Sequence, residues 1–241
     1  MESPVTGTRE FATAYRETSE GVSLPLDLPP FGSLFVIFRQ PASAHPARGA
    51  ENSPRFAALR ELDGAWTVSF DPRWGGPGEV KFPTLSDWTE SSVPGIKYYS
   101  GTAVYRREFE SPSSWQGKSL WLDLGKMREL AEIKVNGISC GIIWAPPFRV
   151  NIGHAVQPGT NKLEIEVVNF WPNRLIGDAG LPKEQRLTRT NVQAFDYASK
   201  AVPNSNLDPD KKKLLLPYVT PMPSGLFGPV QIVGQIPVAT R

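Results

Sequence analysis

The chain has 241 residues, with 26 basic and 24 acidic side chains, a formal net charge of +2 and a single cysteine. That balance, with no basic run longer than Lys211-Lys212-Lys213, argues against nucleic acid as the main partner. Cys140 alone excludes an internal disulfide and a cysteine-based zinc site, and no apolar run approaches a membrane span.

Residues 1–20 are polar and show no core-forming pattern, and Met1-Glu2-Ser3-Pro4 lacks the basic and apolar regions of a signal peptide. Residues 21–55 read as a strand pair and linker. Val22, Leu24, Leu26 and Leu28 alternate up to a turn at Pro29-Pro30-Phe31-Gly32. Leu34 to Phe38 is a continuous apolar run, as expected of a strand buried on both faces, and 40–55 have linker composition. The pair is expected to bury itself on the rest of the chain or on another subunit, or else to expose an apolar patch.

From residue 56 to 241 the pattern is that of one β domain. Phe56 to Leu62 is either one helical turn or a strand entry. Trp66, Val68 and Phe70 form an inward face, followed by a Gly- and Pro-rich loop through Trp88. Ala103, Tyr105 and Phe109 mark the next strand, with Arg107 interrupting the apolar row. Leu120, Leu122 and Leu124 alternate with polar neighbours, as do Ala131, Ile133 and Val135, then Phe148, Val150 and Ile152, then Leu163, Ile165 and Val167. Period-two alternation predicts strands with one wet and one buried face. Asn136-Gly137 is a hairpin signal because both residues tolerate positive φ, and Pro158 to Asn161 reads as a further turn. The fold class expected is an all-β, antiparallel β-sandwich. Residues 169–223 interrupt it as one long irregular excursion, too long for an ordinary loop, in which LTRTNVQAF could form a short helix. PSGLFGPVQIVGQI closes the chain with a last strand.

The blocks AEIKVNGISCG, PFRVNI and PGTNKLEIEVVN resemble the sugar-binding jelly roll beside the barrel of glycoside hydrolase family 2. Extended upstream through VPGIKYYSGTAVYRREFESP and downstream through NFWPNRLIGD to PSGLFGPV, the series most resembles the C-terminal β-sandwich of family 106 α-L-rhamnosidases. The resemblance implies a galactose-binding-domain-like jelly roll, and it makes residues 21–55 the remnant of a preceding β domain. It implies export to the periplasm or outside the cell, although no signal peptide fixes the location. It also implies that the catalytic acids lie on a barrel absent here, since eight βα units need roughly 200–250 residues by themselves.

Sugars are bound by aromatic faces stacked on the CH faces of the ring and by planar polar groups bonded to hydroxyls. The candidates for carbohydrate binding are Trp74, Tyr98, Tyr99, Trp144, Arg149, Trp171, Asn173, Arg174 and Asp178. The plainer alternative for each tryptophan is core or edge cover, and for Arg174 and Asp178 a pair that holds the loop together. Family 2 resemblance implies that the NFWPNRLIGD excursion would reach a neighbouring active site.

A glycosidase needs two carboxylates roughly 5–9.5 Å apart. If the chain were hydrolytic, Asp178 and Glu184 would be the candidates. No cofactor is required. Jelly rolls of the resembled topology often hold a structural calcium, for which Asp71, Glu79, Asp123 and Asp178 are the available donors, without ligand spacing. Three functions compete: a non-catalytic module binding plant or microbial polysaccharide, a stand-alone hydrolase of rhamnosides or related glycosides, and a structural domain that packs on a catalytic barrel or forms a homodimer.

Overall fold

A computed structural model describes residues 1–41, 47, 49, 51–190, 208–215 and 218–236. The chain begins with a short hairpin, β1 (Arg16–Thr18) and β2 (Gly21–Ser23), then enters the sandwich. One sheet has six strands in the order β10 (Ile138–Ile143), β9 (Leu130–Val135), β12 (Gly159–Val168), β6 (Thr102–Ser111), β4 (Trp66–Phe70) and β5 (Gly78–Phe82). The other has four in the order β11 (Arg149–Asn151), β7 (Leu120–Asp123), β14 (Gln231–Ile236) and β3 (Arg55–Glu61). A separate small sheet pairs β8 (Lys126–Arg128) with β13 (Gly225–Gly228). Among the described residues every pairing between named strands is antiparallel.

The alternating residues face each other across one core. Trp66, Val68, Phe70, Ala103, Tyr105, Ala131, Ile133, Val135, Leu163, Ile165 and Val167 come from the larger sheet, and Leu120, Leu122, Val150 and Ile232 from the smaller. The longest ladder is β6 with β12, ten residues each, in unbroken register from Gly159↔Ser111 to Val168↔Thr102. Asn136 (φ 52) and Gly137 (φ 78) form a two-residue hairpin between β9 and β10, with Val135↔Ile138 flanking it. Positive φ at both positions is what such a turn demands. The turn before β12 is tighter than the sequence suggests, because Asn161 is already paired with Phe109. Its fully buried amide accepts from Gln157 N and donates to the carbonyls of Gln157 and Gly159.

Phe56 to Leu62 resolves to strand β3. Leu34 to Phe38 does not form the buried strand expected. It makes one isolated bridge, Phe35 with Glu2, and Phe35 and Phe38 are 59% and 75% exposed. The reason is that no second layer covers it among the described residues. The N-terminal region instead forms a groove of about 580 Å³ lined in part by Phe11, Val22, Val36, Ile37 and Phe38. It is tied to the sandwich entry by Asn52, whose side chain bonds the backbone of Thr13, Ala14 and Pro25. A short helix, α1 (Pro94–Lys97), precedes β6, and the described residues of the excursion include two more, α2 (Pro172–Ala179) and α3 (Pro209–Leu215). The proposed helix at LTRTNVQAF is not formed over 187–190, and its remainder lies outside the described residues.

Tyr105 and Tyr99 are fully buried, and burial pushes both hydroxyls above the usual tyrosine range. The native state therefore keeps these protons when the unfolded chain has lost them. Stability is fully present below the unfolded tyrosine value, about pH 10, and falls as pH rises beyond it. Urea unfolding above that pH should show the decline, and Tyr105→Phe should flatten part of it. An unchanged slope in that variant would count against the assignment.

Candidate functional site

All six strands of the larger sheet end at one rim. Phe70 pairs with Gly78 and Ala103, Thr102 and Leu130 each pair with Val168, and Ala131 pairs with Ile143. Four of the aromatic candidates leave the sheet at this rim: Trp74 after β4, Tyr98 before β6, Trp171 after β12 and Trp144 after β10.

Trp74 and Trp171 meet edge to face, ring centroids 5.1 Å apart and planes at 76°. They remain 37% and 49% exposed. Trp74 is presented by a 3-10 turn, Pro72–Trp74. Asp71 caps it by accepting from Arg73 N, and Gly75 in the left-handed region (φ 76) ends it. The Arg73 guanidinium, hydrogen-bonded to Asp71 at 2.7 Å, holds that carboxyl below its usual range. Trp171 stands at the N-cap of α2, where Pro172 supplies the fixed φ of a first helical residue.

Buried polar side chains pack beside the segments that carry the pair. Arg174 and Asp178 are neighbours at i and i+4 on α2, with Nη2 to Oδ1 at 2.8 Å and side chains 8% and 3% exposed. Asp178 Oδ2 accepts from Thr188 N at 2.7 Å and from Thr188 Oγ1 at 2.6 Å. The Arg174 guanidinium runs against Gly75 and Gly177. A Cβ on Gly75 would lie 2.9 Å from Arg174 Nη1, and one on Gly177 would lie 2.6 Å from Tyr98 Cβ. Glycine is required at Gly75 for both reasons, close approach and backbone sign.

Asn169, 8% exposed, is the hub of the rim. Its Oδ1 accepts from Gly101 N, and its Nδ2 donates to Tyr99 O and Ser224 Oγ. Asn173 donates to Met222 O and Ser224 Oγ and accepts from Met222 N. Ser100 Oγ donates to Phe170 O and accepts from Arg174 N. Three distant segments, 99–101, 169–174 and 222–224, are thereby fastened to one another.

The candidates thus divide. Trp74 and Trp171 come together in the open, with Tyr98 half-buried against Gly177 beside them. Tyr99 is a core residue: its ring packs on Phe70 and Trp88, and its hydroxyl donates to Thr102 O, so it has no face for a ligand. Asn173, Arg174 and Asp178 are buried and bonded within the protein. Arg149 is engaged on the smaller sheet, 2.5 Å from Asp123 and stacked over Phe56. Trp144 is exposed and leaves the sheet from the edge strand β10, two strands from β12 and four from β4. Ser100, Ser224 and Gly75 carry no sequence signal that would single them out, because their roles depend on partners far away in the chain.

Asp178 and Glu184 sit in different surroundings. The first is sealed in a charge pair, and the second lies exposed on the turn Lys183–Gln185. The four oxygen donors considered for calcium do not converge either. Asp71 is paired with Arg73, Asp123 with Arg149, Asp178 with Arg174, and Glu79 is exposed on β5. Among the described residues no group of three or more His, Cys, Asp or Glu could hold a metal ion. Burial pushes the Cys140 thiol up, which makes it a poor nucleophile.

No family model matches the chain. A putative beta-glucuronidase from Formosa agariphila is 42% identical over 123 residues, which is 50% of this chain and 11% of that protein. A rhamnosidase structure from Novosphingobium sp. PP1Y superposes on 91% of this chain and 19% of its own, with 36% identity and a TM-score of 0.69. The β-glucuronidase of Ruminococcus gnavus matches at 24% identity over 48% of this chain and 22% of its own, with a TM-score of 0.41. The chain spans about a tenth to a fifth of the length of these proteins. It is an all-β sandwich domain related to glycoside hydrolases.

Proposed function

We propose that the chain is a non-catalytic accessory module that corresponds to the C-terminal β-sandwich of a family 106-type rhamnosidase and binds glycan at the Trp74–Trp171 rim. The observation that carries the reading is the exposed tryptophan pair held beside a buried polar cluster. An aromatic pair left in water on a rigid support costs apolar exposure, which a ligand with CH faces relieves. The likeness to a rhamnosidase over 91% of the chain supports the sugar class, and the burial of Asp178 against Arg174 supports a structural role for that carboxylate under the rim. A single site of this size gives weak affinity, because sugars are well hydrated.

Affinity electrophoresis against rhamnose-containing and other polysaccharides tests it. Retardation should appear on at least one glycan, and Trp171→Ala or Trp74→Ala should weaken binding about tenfold, the loss of ~1.4 kcal/mol of stacking. Folded protein that migrates unretarded on every glycan would overturn the reading.

The exposed apolar groove of residues 1–41 favours a second role for the same module, packing on a larger neighbouring domain. Light scattering separates the two: self-association without sugar binding supports packing alone.

A further inference from the structure

We infer that the tryptophan corner accepts a single sugar residue at a chain end or branch tip, and not the interior of a flat, ribbon-like chain. The inference rests on the glycan-binding reading and goes on to say which part of a glycan is bound.

It follows from the angle between the rings. A flat, ribbon-like polysaccharide presents the CH faces of successive residues in parallel planes, so a binder of such chains or of crystalline surfaces sets its aromatic rings coplanar, one ring per residue. Trp74 and Trp171 stand at 76° with centroids 5.1 Å apart. Two rings so steep and so close cannot each stack on a different residue of one flat chain. They can meet one residue from two sides, one ring on its CH face and the other against a substituent at its edge.

The corner is also fixed and does not open into a flat platform. Trp74 is anchored by the capped turn that Gly75 ends, directly against Arg174. Trp171 heads the helix that carries Arg174 and Asp178. Re-aiming Trp74 would move the turn at Gly75, which packs so closely on the Arg174 guanidinium that a Cβ there would lie 2.9 Å from Nη1. Trp144, the remaining exposed tryptophan of the rim, leaves the sheet from its edge strand β10, two strands from β12 and four from β4, and is not part of the ring pair.

The test is a chain-length series. Methyl α-L-rhamnoside and rhamno-oligosaccharides of increasing length are titrated into the full chain, with quenching of tryptophan fluorescence as the readout. Dissociation constants should stay within about twofold across the series. Trp171→Ala should abolish the quench, and Trp144→Ala should leave the constants unchanged. Depletion from solution by microcrystalline cellulose or chitin should not occur. Affinity that rises about tenfold or more with length, or adsorption to the crystalline glycans, would overturn the single-residue site while leaving glycan binding intact. Absence of binding to any glycan, soluble or insoluble, would overturn both.

Discussion

Replacing Asp178 with alanine is expected to lower the unfolding free energy by about 3–5 kcal/mol, the usual cost of stranding one member of a buried ion pair. Arg174 would keep its charge at 8% exposure with its neighbour removed, and its Nε already lacks a hydrogen-bond partner. Thr188 would lose the acceptor for both its amide and its hydroxyl. Asp178→Asn should cost less, since an amide oxygen still accepts from Thr188, but it removes the charge that faces Arg174. Urea titration provides the measurement, with a shifted midpoint and an unchanged slope. The same variant separates binding from catalysis. If Asp178 were a catalytic acid on an open cleft, Asp178→Asn would keep the stability and abolish turnover of aryl-rhamnosides. The buried pair predicts lost stability and no turnover in either protein.

Trp88→Ala should destabilise by a similar amount, about 3–5 kcal/mol, through the cavity it leaves. Trp88 is 1% exposed and packs edge-on against Phe70 at 5.3 Å and Tyr99 at 5.7 Å. Its indole donates to Tyr105 Oη at 2.5 Å, and its backbone amide donates to Ser224 O. Gly225 sits directly on the ring, where a Cβ would fall 2.4 Å from the indole nitrogen. The loss should therefore spread from the core into the Ser224 bonds that hold Asn169 and Asn173. Trp88→Phe keeps most of the volume and removes one hydrogen bond, so its cost should be about 1 kcal/mol. Thermal or urea unfolding ranks the two, and equal costs would refute the cavity account.

The parts of the fold visible in the sequence were those with local causes. Alternation set out β7, β9 and β12, and Asn136-Gly137 marked its own hairpin, because strand faces and turn signs are read from neighbouring residues. Leu34 to Phe38 misled, since an apolar run reports what a segment would bury and not whether a covering layer is at hand. The helix at Pro172–Ala179 was hidden for a different reason. Asn173, Arg174 and Asp178 make its buried face polar, so the usual apolar stripe is missing.

The site was legible as residue types but not as geometry. Trp74 and Trp171 lie in segments almost a hundred residues apart, and nothing in either segment reveals the contact between them. Tyr98 and Tyr99 are adjacent, yet only Tyr99 is sealed in the core, because consecutive side chains diverge where α1 ends. Arg149 and Arg174 both looked available for hydroxyls. Both are engaged with carboxylates of their own chain, Asp123 across a strand pair and Asp178 one helical turn on.

The central claim is that glycan docks on the Trp74–Trp171 corner. Indole N–H resonances of the seven tryptophans, assigned by single substitution and followed in an NMR titration with a rhamnose-rich oligosaccharide, test it most directly. The expected result is that the Trp74 and Trp171 signals move together with one saturation curve while the other five stay in place. Movement confined to Trp144 or to any other tryptophan, or sugar released by hydrolysis in the tube, would contradict it.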